Sequence, residues 1–328
     1  MFEPDEFDFM MGENLQIVTE ERNKMNVEIL MSTYNGMNNI ERQIETVLRQ
    51  ENVDIHLTVR DDGSSDKTIE IIKKLQGLYP EQITLYCGEN VGYRKSFLQL
   101  LNLAEDADYY GFSDQDDIWK PNKIHRAVEC LEKLENPVKL YASSLDITDS
   151  QLNVIGYNDI SKMPNTIGSY FTRSRLAGCT FVFSHKCKKL AQKFVDMDLP
   201  TDRMPDHDFV VGSCAFACGS VYLDSERLIY HVRYPNSVTS GGNGLMKRIK
   251  TEWNIVFRRK EIRLTMAREM INNCGSLLNP DAKAFLSEVA NYKKKWNNRL
   301  KLMLNTNMKT GILLCDLEQK VKILVGTY

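Results

Sequence analysis

Three times in succession between Val27 and Leu103, a short apolar run rich in Val, Ile and Leu gives way to a polar loop and then to a segment whose apolar residues recur at helical spacing. The first unit is Val27-Glu28-Ile29-Leu30-Met31, the loop Ser32-Thr33-Tyr34-Asn35-Gly36, and a helix over Ile40 to Gln50 carrying Ile40, Ile44, Val47 and Leu48. The second has a strand from Ile55 to Arg60, the loop Asp61-Asp62-Gly63-Ser64-Ser65-Asp66 and a helix from Lys67 to Leu78. The third has a strand from Ile83 to Cys87, the loop Gly88-Glu89-Asn90-Val91-Gly92 and a helix from Tyr93 to Leu103. Strands that alternate with helices at roughly 30-residue intervals make βαβ units, with right-handed crossovers and parallel strands. The expected class is therefore α/β, a mostly parallel sheet flanked by helices, and at 328 residues the chain has room for one such domain plus an appendage.

A fourth strand, Tyr109 to Ser113, delivers Asp114-Gln115-Asp116-Asp117, just beyond the sheet's carboxyl edge, where open α/β sheets bind ligands. In extended chain Asp114 and Asp116 share a side, and close carboxylates repel by roughly 3 kcal/mol per pair at an effective dielectric near 20. A cation should offset this. Hard oxygen ligands suit Mg²⁺ or Mn²⁺, which keeps waters and shares its remaining positions with phosphates. The plainer alternative is a solvated acidic turn capping the helix that Pro121 begins; the apolar run entering the cluster argues against it.

Further along, the pattern predicts a helix from Pro121 to Leu134, strands Lys139 to Ser143 and Cys179 to Ser184, and a helix from His185 to Val195. Asp206-His207-Asp208 then opens an uncharged run, Phe209 to Leu223, expected to be a buried helix followed by a strand, and Leu228 to Tyr234 reads as another strand. Three segments result: an acidic leader over 1–24, a catalytic domain over 25–244 and a basic helical region over 245–328. The last holds 17 Lys+Arg against 7 Asp+Glu although the whole chain is at −2. Its apolar stripe Leu245, Ile249, Trp253, Val256 and Phe257 is ringed by Lys and Arg, with breaks at Asn279-Pro280 and Thr310-Gly311. The eight cysteines form no C-x-x-C pair and are expected to be reduced and buried, which points to a cytosolic compartment. No apolar run reaches the length of a membrane span.

Taken together, the loops hold Thr33-Tyr34-Asn35, Asp61-Asp62-Gly63-Ser64, Asn90-Val91-Gly92-Tyr93-Arg94-Lys95 and the string Asp114-Gln115-Asp116-Asp117-Ile118-Trp119-Lys120-Pro121-Asn122-Lys123. In this order and spacing, over about residues 26–240, the chain resembles the inverting family 2 glycosyltransferases of the GT-A fold, and most closely bacterial rhamnosyltransferases of cell-wall or capsular rhamnan. The resemblance implies that Thr33, Tyr34, Asn35, Asp61 and Asp62 surround the base and ribose. It implies that Asn90, Gly92 and Lys95 shape the diphosphate side, that Asp114 and Gln115 lie by the donor, and that Asp116 binds the Mg²⁺ or Mn²⁺. It further implies that Gly178, Cys179 and Thr180 form the acceptor-side loop, the small Gly178 leaving room for a sugar. His207-Asp208-Phe209 matches the family's His-Asp-Trp-like motif, which makes Asp208 the base and Asp206 its runner-up; helix capping is the plain alternative for both. Where relatives carry a metal-binding His after the last strand, this chain has Tyr234, so His231 is the expected third ligand, set against a simply packed His.

Two functions compete at this point. One is transfer of L-rhamnose from dTDP-rhamnose, or of a hexose from a UDP-sugar, to a glycan or lipid-linked glycan acceptor. The other is a catalytically silent nucleotide-sugar-binding subunit of a polysaccharide assembly complex. No nucleic-acid partner is expected; the basic C-terminal helices are expected to meet the inner face of the cell membrane peripherally or to form a homodimer.

Overall fold

The computed structural model describes residues 24–197, 199, 204–233 and 261–328. The acidic leader, the boundary at 244, the stripe from Leu245 to Phe257 and Tyr234 lie outside the described residues. Nine strands form one sheet: β1 (Asn26–Thr33), β2 (Asp54–Asp61), β3 (Ile83–Cys87), β4 (Tyr109–Ser113), β5 (Ile118–Trp119), β6 (Lys139–Thr148), β7 (Val154–Asn158), β8 (Val182–Ser184) and β9 (Ser220–Val232). Their order is β3-β2-β1-β4-β8-β6-β9-β5, with β7 against β6.

β1 runs parallel to β2 on one side and to β4 on the other, so the chain reverses its direction of travel across the sheet at this point. A crevice opens where two neighbouring loops leave in opposite directions, here between the ends of β1 and β4. Ile29, Leu30 and Met31 are fully buried, as a central strand covered on both faces requires. α1 (Ile40–Leu48), α2 (Thr68–Leu78) and α3 (Tyr93–Leu103) connect the parallel strands. Ile40, Ile44 and Val47 of α1 are fully buried, worth about 1.5–3 kcal/mol each.

Beyond β4 the sheet becomes mixed, since β8 is antiparallel to both β4 and β6 while β9 is parallel to β6. Two expectations change here. The segment from Cys179 is no strand at first: Gly178–Thr180 is a 3₁₀ turn, closed by Thr180, whose N–H and hydroxyl both donate to the Ala177 carbonyl at 2.9 and 2.7 Å. The two strands expected over 220–234 are one, β9, in which a register shift lets the pairing with β6 continue past the exposed Ser225 to Arg227.

The remaining helices are α4 (Lys123–Glu132), α5 (Ile167–Thr172), α6 (His185–Gln192), α7 (His207–Cys218), α8 (Ile262–Cys274), α9 (Pro280–Asn291), α10 (Trp296–Leu304) and α11 (Leu313–Val325). α7 is the expected buried helix. Asn279 caps α9 through the Ala282 N–H (2.8 Å), and its own N–H donates to Ala217 at the end of α7 (2.9 Å). Phe285, Leu286, Val289, Tyr292 and Tyr328 share one apolar cluster with Leu30, Phe112, Tyr170 and Phe171, so the C-terminal helices are built into the core of the sheet domain.

Candidate active site

Four loops leave the carboxyl ends of β1 to β4 and are tied to one another by side chains. Asp61 is fully buried and accepts from four donors: Gly63 N (3.1 Å) and Ser64 N (2.8 Å) at Oδ1, and Ser64 Oγ (2.6 Å) and Thr33 Oγ1 (3.0 Å) at Oδ2. Asp62 accepts from Arg60 (2.6 Å) and from the backbone of Val91 and Gly92, both at 2.9 Å. Gly92 there has φ +80°, a left-handed conformation that glycine adopts without strain. Asn35 accepts from Ser65 N (2.9 Å), and Gln115 makes a reciprocal pair with the Tyr34 backbone at 2.9 and 3.1 Å, closing the switch-point crevice. Asn90 receives the Gly92 N–H at 3.2 Å, and Lys95 is exposed at the start of α3. All donor-side residues expected from the sequence thus line one edge of the sheet.

At the end of β4 the chain turns through Gln115 and Asp116, which breaks the two-residue alternation of an extended chain. Asp114 and Asp117 therefore come together, and potential ligand atoms of Asp114, Asp117, Cys179 and His231 lie within 4.8 Å of one another. Of the expected pair, His231 is in this cluster and Asp116 lies outside it. His231 Nδ1 is 2.8 Å from Asp117 Oδ1, and this bond raises the imidazole pKa to about 9. Burial, then the charges of Asp117 and Asp116, raise Asp114 to about 8; burial and Asp117 raise Asp116 to about 6. Burial and Asp117 push the Cys179 thiol far up, and a soft sulfur ligand is in any case poorly matched to Mn²⁺ or Mg²⁺. Asp117 Oδ2 is buried with no hydrogen-bond partner. Two carboxylates, one of them with an unpartnered oxygen, and one imidazole are a donor set that could hold Mn²⁺ or Mg²⁺.

Across the crevice, the first turn of α7 presents Asp208, whose charge reaches Asp114 and raises it further. Its Oδ1 accepts the Phe209 N–H at 2.7 Å and its carbonyl accepts from Tyr170 at 2.7 Å, which fixes the turn. Asp206 is committed elsewhere, accepting from Arg94 Nε (2.5 Å) and Tyr93 (3.0 Å). His207 stacks on Phe97 at 4.0 Å, and burial pulls its pKa down to about 4, so it is a neutral core residue. Gly178 packs closely on the α7 turn: a Cβ there would meet His207 Nε2 at 2.9 Å and Asp208 Cβ at 3.1 Å. The space is taken by the Asp208 turn, while Thr180 and Cys179 are buried behind it.

A family model described as glycosyl transferase family 2 matches residues 28–197, more than half of the chain. The chain belongs to that family. A dTDP-rhamnosyl transferase of Shigella flexneri is 35% identical over 176 residues, covering 50% of this chain and 57% of that protein. An uncharacterised glycosyltransferase of Nostoc is 33% identical over 108 residues, or 33% of each chain, so the chain spans 57% of the length of the first of these relatives and a third of the second. Among solved structures, S. aureus TarS, crystallised with UDP-GlcNAc, superposes with a TM-score of 0.55 at 14% identity over 93% of this chain and 82% of that one. This likeness shows the GT-A fold.

Three buried charged residues were given no role in the sequence reading. Asp117 was visible only as the third acid of a run whose turn could not be read from spacing. Arg60 ends a strand as an ordinary polar residue, yet its guanidinium, 6% exposed, links Asp62, Ser96 and the Glu89 carbonyl. Lys123 entered the sequence reading only as the last residue of the Asp114 to Lys123 string. It is fully buried, its Nζ stands 3.7 Å from the Trp119 ring centroid, and burial lowers its pKa to about 7.

Proposed function

We propose that this chain is an inverting, metal-dependent glycosyltransferase that moves L-rhamnose from dTDP-rhamnose onto a lipid-linked glycan. The observation that carries the proposal is the crevice itself, with the Asp114, Asp117 and His231 cluster on one side and Asp208 on the other, mutually within electrostatic range. The rhamnosyl donor is favoured by the 35% identical Shigella flexneri protein. Thr33, Tyr34, Asn35 and the Asp61 loop hold base and ribose, while Asn90, Gly92 and Lys95 flank the diphosphate. A divalent ion held by Asp114, Asp117 and His231 supplies Lewis-acid stabilisation of the departing nucleotide. Asp208 takes the proton of the acceptor hydroxyl as its oxygen bonds to the anomeric carbon and the bond to the diphosphate breaks. Asp206 cannot share this role while Arg94 and Tyr93 occupy it, and His207 is enclosed between Phe97 and Phe112.

The test is nucleoside diphosphate release from dTDP-rhamnose, UDP-glucose and UDP-N-acetylglucosamine with Mn²⁺ and an acceptor glycoside. Turnover of dTDP-rhamnose is expected. Turnover of a UDP-hexose alone would overturn the donor assignment, and binding without turnover of any donor would make the chain a silent subunit.

A lipid-linked acceptor also accounts for the last helix. Leu313, Leu314, Leu317, Val321 and Leu324 of α11 form an exposed apolar stripe at helical spacing, with Lys309, Lys320 and, on α10, Lys301 exposed around it. Leucines rimmed by lysines suit an anionic lipid surface. No helix among the described residues is long and apolar enough to cross a membrane. Co-sedimentation with phosphatidylglycerol vesicles should be lost on Leu314→Asp plus Leu317→Asp; unchanged co-sedimentation, or a dimer that the pair dissociates, would remove the membrane assignment.

A further inference from the structure

The loop assigned to the donor's diphosphate runs straight into α3, and Asp208 stands in the first turn of α7. These two helices touch at Phe97, which stacks on His207 at 4.0 Å. One turn earlier on the same face of α3 they touch again. There Arg94 Nε and the Tyr93 hydroxyl both donate to Oδ1 of Asp206, at 2.5 and 3.0 Å.

Asp206 immediately precedes α7, at the position where an aspartate ordinarily caps a helix by accepting one of its first free N–H groups. Its side chain makes no such bond. The carboxylate is turned to α3 instead, where the Arg94 guanidinium also lies over the Tyr93 ring, 4.9 Å from its centroid. The Arg94 and Asp206 side chains are 18% and 30% exposed, so this pair is sheltered from the solvent that makes most surface ion pairs ineffective. The other end of the connection is fixed as well. Gly92 caps α3, and the N–H groups of Gly92 and Val91 are held by Asp62, itself held by Arg60. Hydrogen bonds therefore run without a break from Arg60 and Asp62, through the diphosphate loop, to the residue two places before Asp208.

We infer that Arg94 and Tyr93 are positioning residues for the transfer: they hold the first turn of α7 at a set distance from the donor loop, and so hold Asp208 where the acceptor's proton is taken. The inference rests on the transferase reading above. Neither residue is asked to touch donor or acceptor. Both act through Asp206, whose carboxylate ties the base-bearing helix to the donor side of the crevice and leaves the capping of that helix to Asp208, which accepts the Phe209 N–H.

The experiment measures kcat and KM on the full chain with Mn²⁺, the donor of the panel above that wild type turns over best, and the methyl glycosides of L-rhamnose, D-glucose and N-acetyl-D-glucosamine as acceptors. A catalytic group misplaced by about 1 Å loses on the order of 10²-fold. Arg94→Ala should therefore lower kcat about 10- to 100-fold while donor KM stays within about twofold of wild type. Tyr93→Phe, which removes one hydroxyl and keeps the ring, should lower kcat about fivefold, and it carries the comparison if Arg94→Ala does not fold. Asp206→Asn keeps an oxygen for both donors and should cost little. The deciding arm places each variant in the Asp208→Asn background: with no base left to position, Arg94→Ala and Tyr93→Phe should cost nothing further. The same loss in that background would show that they act other than through Asp208 and overturns the inference. Wild-type kcat in folded variants, or a raised donor KM at unchanged kcat, also overturns it while leaving the transferase in place. A wild type that transfers from no donor removes the transferase reading, and this inference falls with it.

Discussion

Around β1 to β3 the loop carboxylates are saturated by donors of the same chain, whereas those just beyond β4 are crowded together and short of donors. Asp61 accepts four hydrogen bonds and Asp62 accepts two backbone N–H groups and a guanidinium. Asp114 and Asp116 are instead raised by burial and by Asp117, and Asp117 keeps an orphaned oxygen. The same residue type in look-alike loops does two jobs. Saturated carboxylates hold a shape before any ligand arrives; unsaturated ones hold a demand that a cation, a proton or a substrate must meet.

The largest effect that could break this comparison belongs to Asp208. A positioned carboxylate contributes about 10²–10⁴-fold to transfer by accepting the acceptor's proton. Asp208→Asn keeps the size of the side chain, so transfer to a synthetic glycoside should fall by that factor while donor affinity, measured by calorimetry, stays near wild type. Asp206→Asn should be far milder. A dead Asp206→Asn beside an active Asp208→Asn would exchange their roles.

Second comes the saturated side. Asp62→Ala strands the Arg60 guanidinium, whose pair is 7% and 3% exposed, and breaking a buried pair from one end costs about 3–5 kcal/mol. Urea unfolding should show a loss of that order. A loss below about 1 kcal/mol would mean that Asp62 is not structural and that the contrast between the two sides fails.

The strand-loop-helix units were legible because a parallel sheet buries its strands on both faces and so writes them as continuous apolar runs; β1 to β4 and α1 to α3 fall within two residues of the sequence reading. β5 and β7 were not seen: β5 is two residues long and its partner β9 is far along the chain, while β7 is a short, largely exposed strand hairpinned onto β6. The site was legible as a set of loops, and its inner arrangement was not. Alternation placed Asp114 and Asp116 on one side, whereas the turn through Gln115 and Asp116 groups Asp114 with Asp117; and His231, 114 positions along the chain, meets Asp117 through β9. Spacing could not show that Gly178 packs against the first turn of α7, where a Cβ would meet His207 and Asp208.

Third in size is the metal. A ligand present at 100 times its dissociation constant stabilises the fold by about 2.7 kcal/mol. Mn²⁺ with dTDP should raise the wild-type melting temperature accordingly, Asp117→Asn should lose that rise, and Asp116→Asn should keep most of it. The opposite pattern would return the ligand role to Asp116 and would undo the turn-based grouping.

The smallest effect tests whether crowding or burial sets the chemistry beside the base. His207 stacks on Phe97 at 4.0 Å and meets Phe112 edge-on at 4.6 Å, with Nδ1 buried and unpartnered. Burial lowers its pKa from 6.5 to about 4, so between those values the folded chain keeps it neutral while the unfolded chain takes up a proton. More protons bound in the unfolded state means that stability falls as pH falls, by about 1.4 kcal/mol per unit within that window. From about pH 6.5 to 5, wild type should therefore lose about 2 kcal/mol that His207→Phe, which preserves the ring stack, does not lose. Carboxylates titrate in both proteins, so the quantity to read is the difference between their urea unfolding energies at the two pH values. Parallel losses would show that His207 is protonated in the folded chain, drawn up by Asp206 or Asp208 against its burial. The imidazolium would then stand next to the base, and the acceptor side would be governed by charge pairing in the same manner as the donor loops.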